Sequence, residues 1–299
     1  MLPDAKSESG AAQEQNEISI SELFHENSKQ QRYNLAFSRR ISFVNSSPTI
    51  HQVISKTCKT YPGAIAIPLP TVQPGNGLSF EDVVTKRRSI RRFSNVPLDL
   101  TEISKLLYFG NGITGKLAPS GQGIVQPVRA APSGGALYPI ELYLAVCNGT
   151  DIEPGIYHYV AATHALEQLA LGDFAPALSE ATSDSALFSH ASITIILTAM
   201  FERTRFKYGE RGYRFALLEA GHIAQNILLT STALDLGGVA VGGFIDDEIN
   251  EILGIDGVDE ASIYMIALGH PMPMLEEQNL MSVQPVINEL LEWLWTGEI

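Results

Sequence analysis

The sequence predicts an α+β fold, and three observations carry that prediction. Helix-start signals and apolar helical faces mix with short strand patterns in no regular strand-helix-strand repeat. Runs of strand length, rich in β-branched and aromatic residues, cluster between residues 140 and 200. A long helical stretch, 211 to 236, has apolar residues on most of its faces. Such a helix is buried on all sides, either in the centre of a domain or in an oligomer interface. No internal repeat of the solenoid kind is present.

Taken in order, residues 1–17 are rich in Ala, Ser, Glu, Gln and Gly and read as a disordered tail. Ser19 to Glu26 carries helix-start chemistry and a short apolar face, which Tyr33 to Phe43 continues. Residues 62–77 have the Pro and Gly content of a linker, and the main boundary is placed there. The chain thus divides into the tail, an N-terminal helical extension with linker over 18–75, a main domain over 76–275 and a C-terminal helix over 276–299. Ser79 caps a helix that holds Val83, Val84 and a basic run; Asp99 caps another with Ile103, Leu106, Leu107 and Phe109 on its apolar side. Ile140 to Val146 reads as a strand, Gly155 to Val160 with Leu166 to Leu171 as a hairpin, and Ser192 to Met200 as a buried strand. After the long helix come a short strand at Val239 to Val241, a helix from Glu248 to Leu253 capped by Asp246, and a last strand from Ile263 to Leu268.

Charge and composition narrow the function. The 299 residues carry 33 acidic and 20 basic side chains, a net charge of −13, which repels nucleic acid and anionic lipid. The basic residues are unevenly placed. Five lie between Lys86 and Arg92 and five between Arg203 and Arg214, so half the positive charge sits in two short segments. Two cysteines, Cys58 and Cys147, make neither a disulfide framework nor a Cys-rich zinc site and fit a reducing cytoplasm. The polar N-terminus predicts no signal peptide, and the longest uncharged stretches, 186–201 and 220–234, are too short and too polar to span a membrane.

Two motifs mislead. Gly110 to Gly115 fits G-x-G-x-x-G, but a helix precedes it where the dinucleotide site needs a strand. With Lys116 the same glycines approach a phosphate-binding loop, yet position 117 is Leu where a hydroxyl must hold magnesium. Both matches read as a helix end followed by a loop. The seven histidines show no zinc-ligand pair and read as satisfied core or surface residues.

Dense arginines repel one another unless they share an anion, and their planar forks suit a phosphate or a flat heterocycle with carbonyl acceptors. Their plainer reading is a basic helix end meeting its own carbonyls. Thr85-Lys86-Arg87-Arg88-Ser89-Ile90-Arg91-Arg92-Phe93 resembles the opening signature of the FMN-dependent nitroreductase superfamily. Arg129 to Pro139, with Pro132-Ser133-Gly134-Gly135 at its centre, is similar to the SagB-type dehydrogenases within it. So are Phe206 to Arg214 with Leu218 to His222, Gly242-Gly243-Phe244, and the closing Ala267 to Pro271. The resemblance spans about residues 79 to 273.

That resemblance implies a nitroreductase-like fold, a central and mostly antiparallel sheet flanked by helices, in an intertwined homodimer with the long helix at the interface. It implies FMN as cofactor. Arg87, Arg88, Ser89 and Arg91 would contact its phosphate, ribityl chain and pyrimidine carbonyls. Pro132, Ser133 and Gly134, from the partner subunit, would lie against the ring, and Gly242 and Gly243 near its N5 edge. No Lys or Arg follows Arg214, so Arg129 or a member of the 203–214 cluster would replace the basic residues that many relatives carry after the final Gly-x-Pro. By the same resemblance Lys207 and Tyr208 are the catalytic pair of an azoline dehydrogenase, with the lysine pKa lowered by burial and by Arg205 and Arg211. The implied partners are a precursor peptide and a cyclodehydratase. Two other readings stand beside it: an NAD(P)H-dependent reductase of nitroaromatics or quinones, and a flavin-binding, non-catalytic partner in a synthetase complex.

Overall fold

A computed structural model describes residues 19–272 apart from 33, 56–57, 74–76 and 118–124. The expected tail and the expected C-terminal helix over 276–299 lie outside the described residues. The chain opens with helices α1 (Ile20–Asn27), α2 (Leu35–Ser46) and α3 (Pro48–Ser55), strand β1 (Ile65–Pro68), then α4 (Phe80–Lys86) and α5 (Leu100–Asn111). Strands β2 (Ile113–Leu117), β3 (Gln126–Arg129), β4 (Ile140–Val146), β5 (Gly155–Val160) and β6 (Ala165–Leu171) follow. The remainder is α6 (Ala175–Glu180), α7 (Ser185–His190), β7 (Ile193–Met200), α8 (Glu202–Tyr208), α9 (Arg211–Ala233), β8 (Gly237–Val241), α10 (Asp246–Leu253) and β9 (Glu260–Gly269).

Seven strands form one sheet in the order β1-β6-β5-β4-β7-β9-β8, with every neighbouring pair antiparallel. Both faces are covered. Leu142, Leu144, Ile195, Leu197 and Ile266 pack with Ile103, Leu106 and Leu107 of α5 and Ile223 and Ile227 of α9. Tyr143, Ala145, Ile196 and Met265 pack on the other side with Leu178 of α6, Phe188 of α7 and Ile249 of α10. Alternating side chains thus enter two cores, and β4 is buried along its whole length. This explains continuous apolar runs in an antiparallel sheet, whose strands otherwise alternate with polar residues.

The caps read from sequence are in place. The Ser79 hydroxyl accepts the Asp82 amide, and Asp99 with Glu102 forms a reciprocal capping box. Four details differ. The segment after α1 is a separate helix, because the Asn34 side chain accepts the Phe37 amide and starts α2 anew. The Pro- and Gly-rich segment 62–77 contributes β1, paired with β6 at the sheet edge, where Pro68 is tolerated. Residues after Asn111 form β2, which pairs antiparallel with β3 rather than remaining loop. Asp246 is the first residue of α10 and not its cap; with Asp247 and Glu248 it places negative charge in the first turn.

Within the single chain the burial of α9 is one-sided. Its inner face, Ala216, Glu219, Ala220, Ile223, Ala224 and Ile227, is buried. Its outer face leaves Leu217 43% and Leu218 60% exposed. The helix is central to the fold on one side only.

Candidate active site

Residues 130–138 turn the chain from β3 into β4. Gly135 (φ 67°), Ala136 (φ 52°) and Tyr138 (φ 46°) all adopt left-handed backbone, two of them without the freedom of glycine. The surroundings hold this strained turn. The Ser133 hydroxyl accepts the Tyr138 amide at 2.9 Å, and the Tyr138 hydroxyl accepts the Arg129 amide at 3.0 Å. Arg203 donates to the Tyr138 carbonyl at 2.9 Å and pairs with buried Glu141 at 2.6 Å. Burial pushes the Glu141 carboxyl up, but His158 and Arg203 outweigh it and hold the group below the usual carboxylate range. Arg203 is therefore an anchor for the turn.

Lys207 and Tyr208 end α8 directly over this turn. A Cβ on Gly135 would stand 2.6 Å from the Tyr208 hydroxyl and 2.9 Å from Lys207 Nζ. Two segments some 70 residues apart in sequence thus meet at one glycine. Lys207 is only 7% exposed and makes no ion pair among the described residues, and burial lowers its pKa. The expected help from Arg205 and Arg211 is absent. Arg205 is bound to Glu202 and Glu210, and Arg211 donates to the Ser28 carbonyl. Phe215 fixes the pair from beneath, meeting the Tyr208 ring edge-on at 4.9 Å and lying 3.4 Å from where a Gly134 Cβ would be.

One turn along α9 from Phe215 is Glu219, which lies in the Leu218–His222 motif but is given no role by the sequence. It is 2% exposed, and neither carboxyl oxygen has a partner at hydrogen-bond geometry among the described residues. Burial pushes its pKa up to about 7, against the pull of the nearby Ser133 hydroxyl, Arg129 and Arg203. Sequence offered no signal beyond an acid on an otherwise apolar face of the helix.

The remaining residues form a second group. Ser89 bridges to Gly238, and the Ile90 amide donates to the Gly238 carbonyl, which lays the basic run beside β8. That strand leads straight into Gly242 and Gly243. A Cβ at either glycine would meet nothing closer than 3.9 Å, so a flat ring has room to lie on the backbone there. Arg87 and Arg91 have no acidic partner among the described residues, whereas Arg88 folds back onto the carbonyls of Thr85 and Arg87. Among the described residues no hydrogen bond, ion pair or ring contact joins this group to the turn at Pro132–Gly135 and the Lys207–Tyr208 pair. In the single chain the two groups stand apart.

Comparison with known proteins places a family on this fold: the nitroreductase family pattern matches residues 84–270, a range that includes both groups of residues. The chain belongs to the nitroreductase family. A Methanocaldococcus jannaschii protein named as a nitroreductase, MJ1384, is 36% identical over 189 residues, covering 63% of this chain and 89% of its own length. The microcin B17-processing protein McbC of Escherichia coli is 33% identical over 133 residues, covering 43% of this chain and 49% of McbC. The chain thus matches about half the length of that relative. Among solved structures, a protein from Anabaena variabilis described as a nitroreductase superposes with TM-score 0.67 and 28% identity, over 85% of this chain and 47% of the other. The E. coli microcin synthetase McbBCD complex with truncated pro-MccB17 contains a chain that matches with TM-score 0.53 and 25% identity, over 83% and 85%. For nitroreductase-family members the fold is this one: a large antiparallel sheet flanked by helices, here in an oxidoreductase family. No helix among the described residues is long and apolar enough to cross a membrane.

Proposed function

We propose that this nitroreductase-family protein is an FMN-dependent dehydrogenase of the SagB type. It oxidises azoline rings to azoles in a ribosomally made peptide, acts as a homodimer in the cytoplasm, and works beside a cyclodehydratase. The single observation that carries this reading is the convergence of Lys207 Nζ and the Tyr208 hydroxyl on Gly135 of the Pro132–Gly135 turn. The relationship to McbC, a microcin B17-processing protein, supports the peptide substrate.

The residues present fit FMN. Arg87 and Arg91, unpaired with any acid among the described residues, suit its phosphate and carbonyls, with Arg88 and Ser89 beside them, and Gly242 and Gly243 leave open backbone for the flat ring. Arg129 also lacks an acidic partner among the described residues and stands in for the basic residues missing after Arg214; Arg203 is already committed to Glu141. When bound, FMN supplies a hydride acceptor at N5. Oxidation of an azoline removes one carbon-bound proton and one hydride. Lys207, kept in its neutral form more readily than an ordinary lysine, takes the proton, and Tyr208 orients the ring. Pro132, Ser133 and Gly134 of one subunit close over the half-site of the other, and oxygen accepts the electrons.

The test is turnover of FMN-loaded protein with a synthetic thiazoline peptide in air. The reading predicts loss of two hydrogens per ring with matching oxygen consumption. Anaerobic bleaching of the flavin by NADPH, with none by the thiazoline peptide, would instead identify a nitroaromatic or quinone reductase. Stoichiometric FMN without turnover by either donor would identify a non-catalytic partner.

A further inference from the structure

The N-terminal extension packs against the start of α9, and the pocket it leaves there is unaccounted for. Arg214 donates to the His25 carbonyl at 2.8 Å, Arg211 to the Ser28 carbonyl at 3.2 Å, and Phe24 meets the Tyr213 ring edge-on at 5.3 Å. Between α1, α2 and the junction of α8 with α9 lies a pocket of about 210 Å³. Lys29, Asn34, Arg40, Tyr208, Glu210 and Arg211 line it. It is too small for a cofactor and has room for one side chain or chain end.

Its charge opposes that of the protein. Three of these residues are cations and one is an acid, in a chain of net charge −13. The acid, Glu210, is engaged by Arg205, and Lys29 pairs with Glu26. Among the described residues Arg40 makes no hydrogen bond or ion pair, and Arg211 meets only the Ser28 carbonyl and the face of the Phe215 ring. Two guanidinium groups therefore face the pocket with donors to spare. The place is specific. Arg40 Nη1 stands 2.9 Å from where a Cβ on Gly209 would be, immediately after the Lys207–Tyr208 pair.

We propose that this pocket is a subsite for a carboxylate on the peptide residue flanking the reacting ring. The planar carboxylate matches two arginine forks, and Tyr208, which lines the pocket and also contacts Gly135, connects the subsite to the site of oxidation. The proposal rests on the azoline reading for what reacts, but the binding site itself can be tested apart from it.

The experiment has a binding arm and a turnover arm, both with FMN-loaded full-length protein. In the first, calorimetry compares an acetylated, amidated Glu tripeptide with its Gln counterpart. The Glu peptide should bind about tenfold tighter, the size of one charge-assisted hydrogen bond. Arg40→Gln should erase the difference without changing flavin content, since Arg40 holds no hydrogen bond or ion pair among the described residues, while Arg39→Gln, outside the pocket, should preserve it. Equal binding of the two peptides, or an Arg40→Gln variant that still discriminates, overturns the subsite. Inorganic phosphate that competes as well as the Glu peptide overturns its assignment to a peptide. In the second arm, thiazoline peptides flanked by Glu should show a lower KM than those flanked by Gln, at the same kcat. Oxidation without that preference removes the subsite and leaves the azoline reading standing; Arg40-dependent binding without oxidation does the reverse.

Discussion

Gly135 ties the site together at the scale of a residue. Its backbone is left-handed, and the space where a side chain would stand is taken by Tyr208 and Lys207. Gly135→Ala therefore faces a backbone cost of about 1–2 kcal/mol together with displacement of both groups. Displacements of this kind cost roughly a hundredfold in rate, so turnover should fall by that order while circular dichroism and bound FMN stay near wild type. Glu219 allows a separate test. Its native pKa of about 7 lies above the ordinary 4.5, so the folded protein holds more protons than the unfolded chain between those values. Stability must then fall as pH rises through this window, by about 3 kcal/mol, and stay low above it. Denaturant unfolding of Glu219→Gln should show that slope removed and a gain over wild type at pH 8.

At the scale of elements, α9 carries the argument. Its inner face holds Phe215 and Glu219 under the turn, and its outer face exposes Leu217 and Leu218. Phe80 and Val84 of α4, also exposed at 70% and 47%, add apolar surface on a helix that packs against α9. On the proposed function the two groups are halves of one site, and the cover of this apolar surface is a second copy of the chain. Leu217→Glu with Leu218→Glu should give a monomer by light scattering and release FMN; a dimer that retains flavin would refute this use of the helix. Periodicity and caps made α4, α5, α9 and the central strands legible because those signals are local. β1 and the β2–β3 pair were hidden, since Pro- and Gly-rich stretches pair only when a neighbouring edge is offered. The site was legible as motifs but not as contacts: nothing in the sequence says that Gly135 touches Lys207, or that Arg203 is committed to Glu141.

For the whole molecule, the distribution of charge is the clearest lesson. Of the two basic clusters in this acidic chain, the one at Lys86–Arg92 has no acidic partner among the described residues and suits one small anion. The cluster at 203–214 divides by position: Arg203 anchors the turn, Arg205 pairs with two glutamates, Arg211 and Arg214 hold the N-terminal extension, and Lys207 is buried with no hydrogen bond or ion pair among the described residues, its ammonium 5.3 Å from the Tyr208 ring centroid. On the proposed function this lysine accepts the substrate proton. The direct measurement is anaerobic single-turnover bleaching of bound FMN by a thiazoline peptide across pH. Because burial lowers the Lys207 pKa, the wild-type rate should rise with pH and level off below the ordinary lysine value of 10.5. Lys207→Ala should keep its FMN and fail to bleach at any pH. Bleaching by that variant at the wild-type rate, or loss of its flavin, would contradict the account.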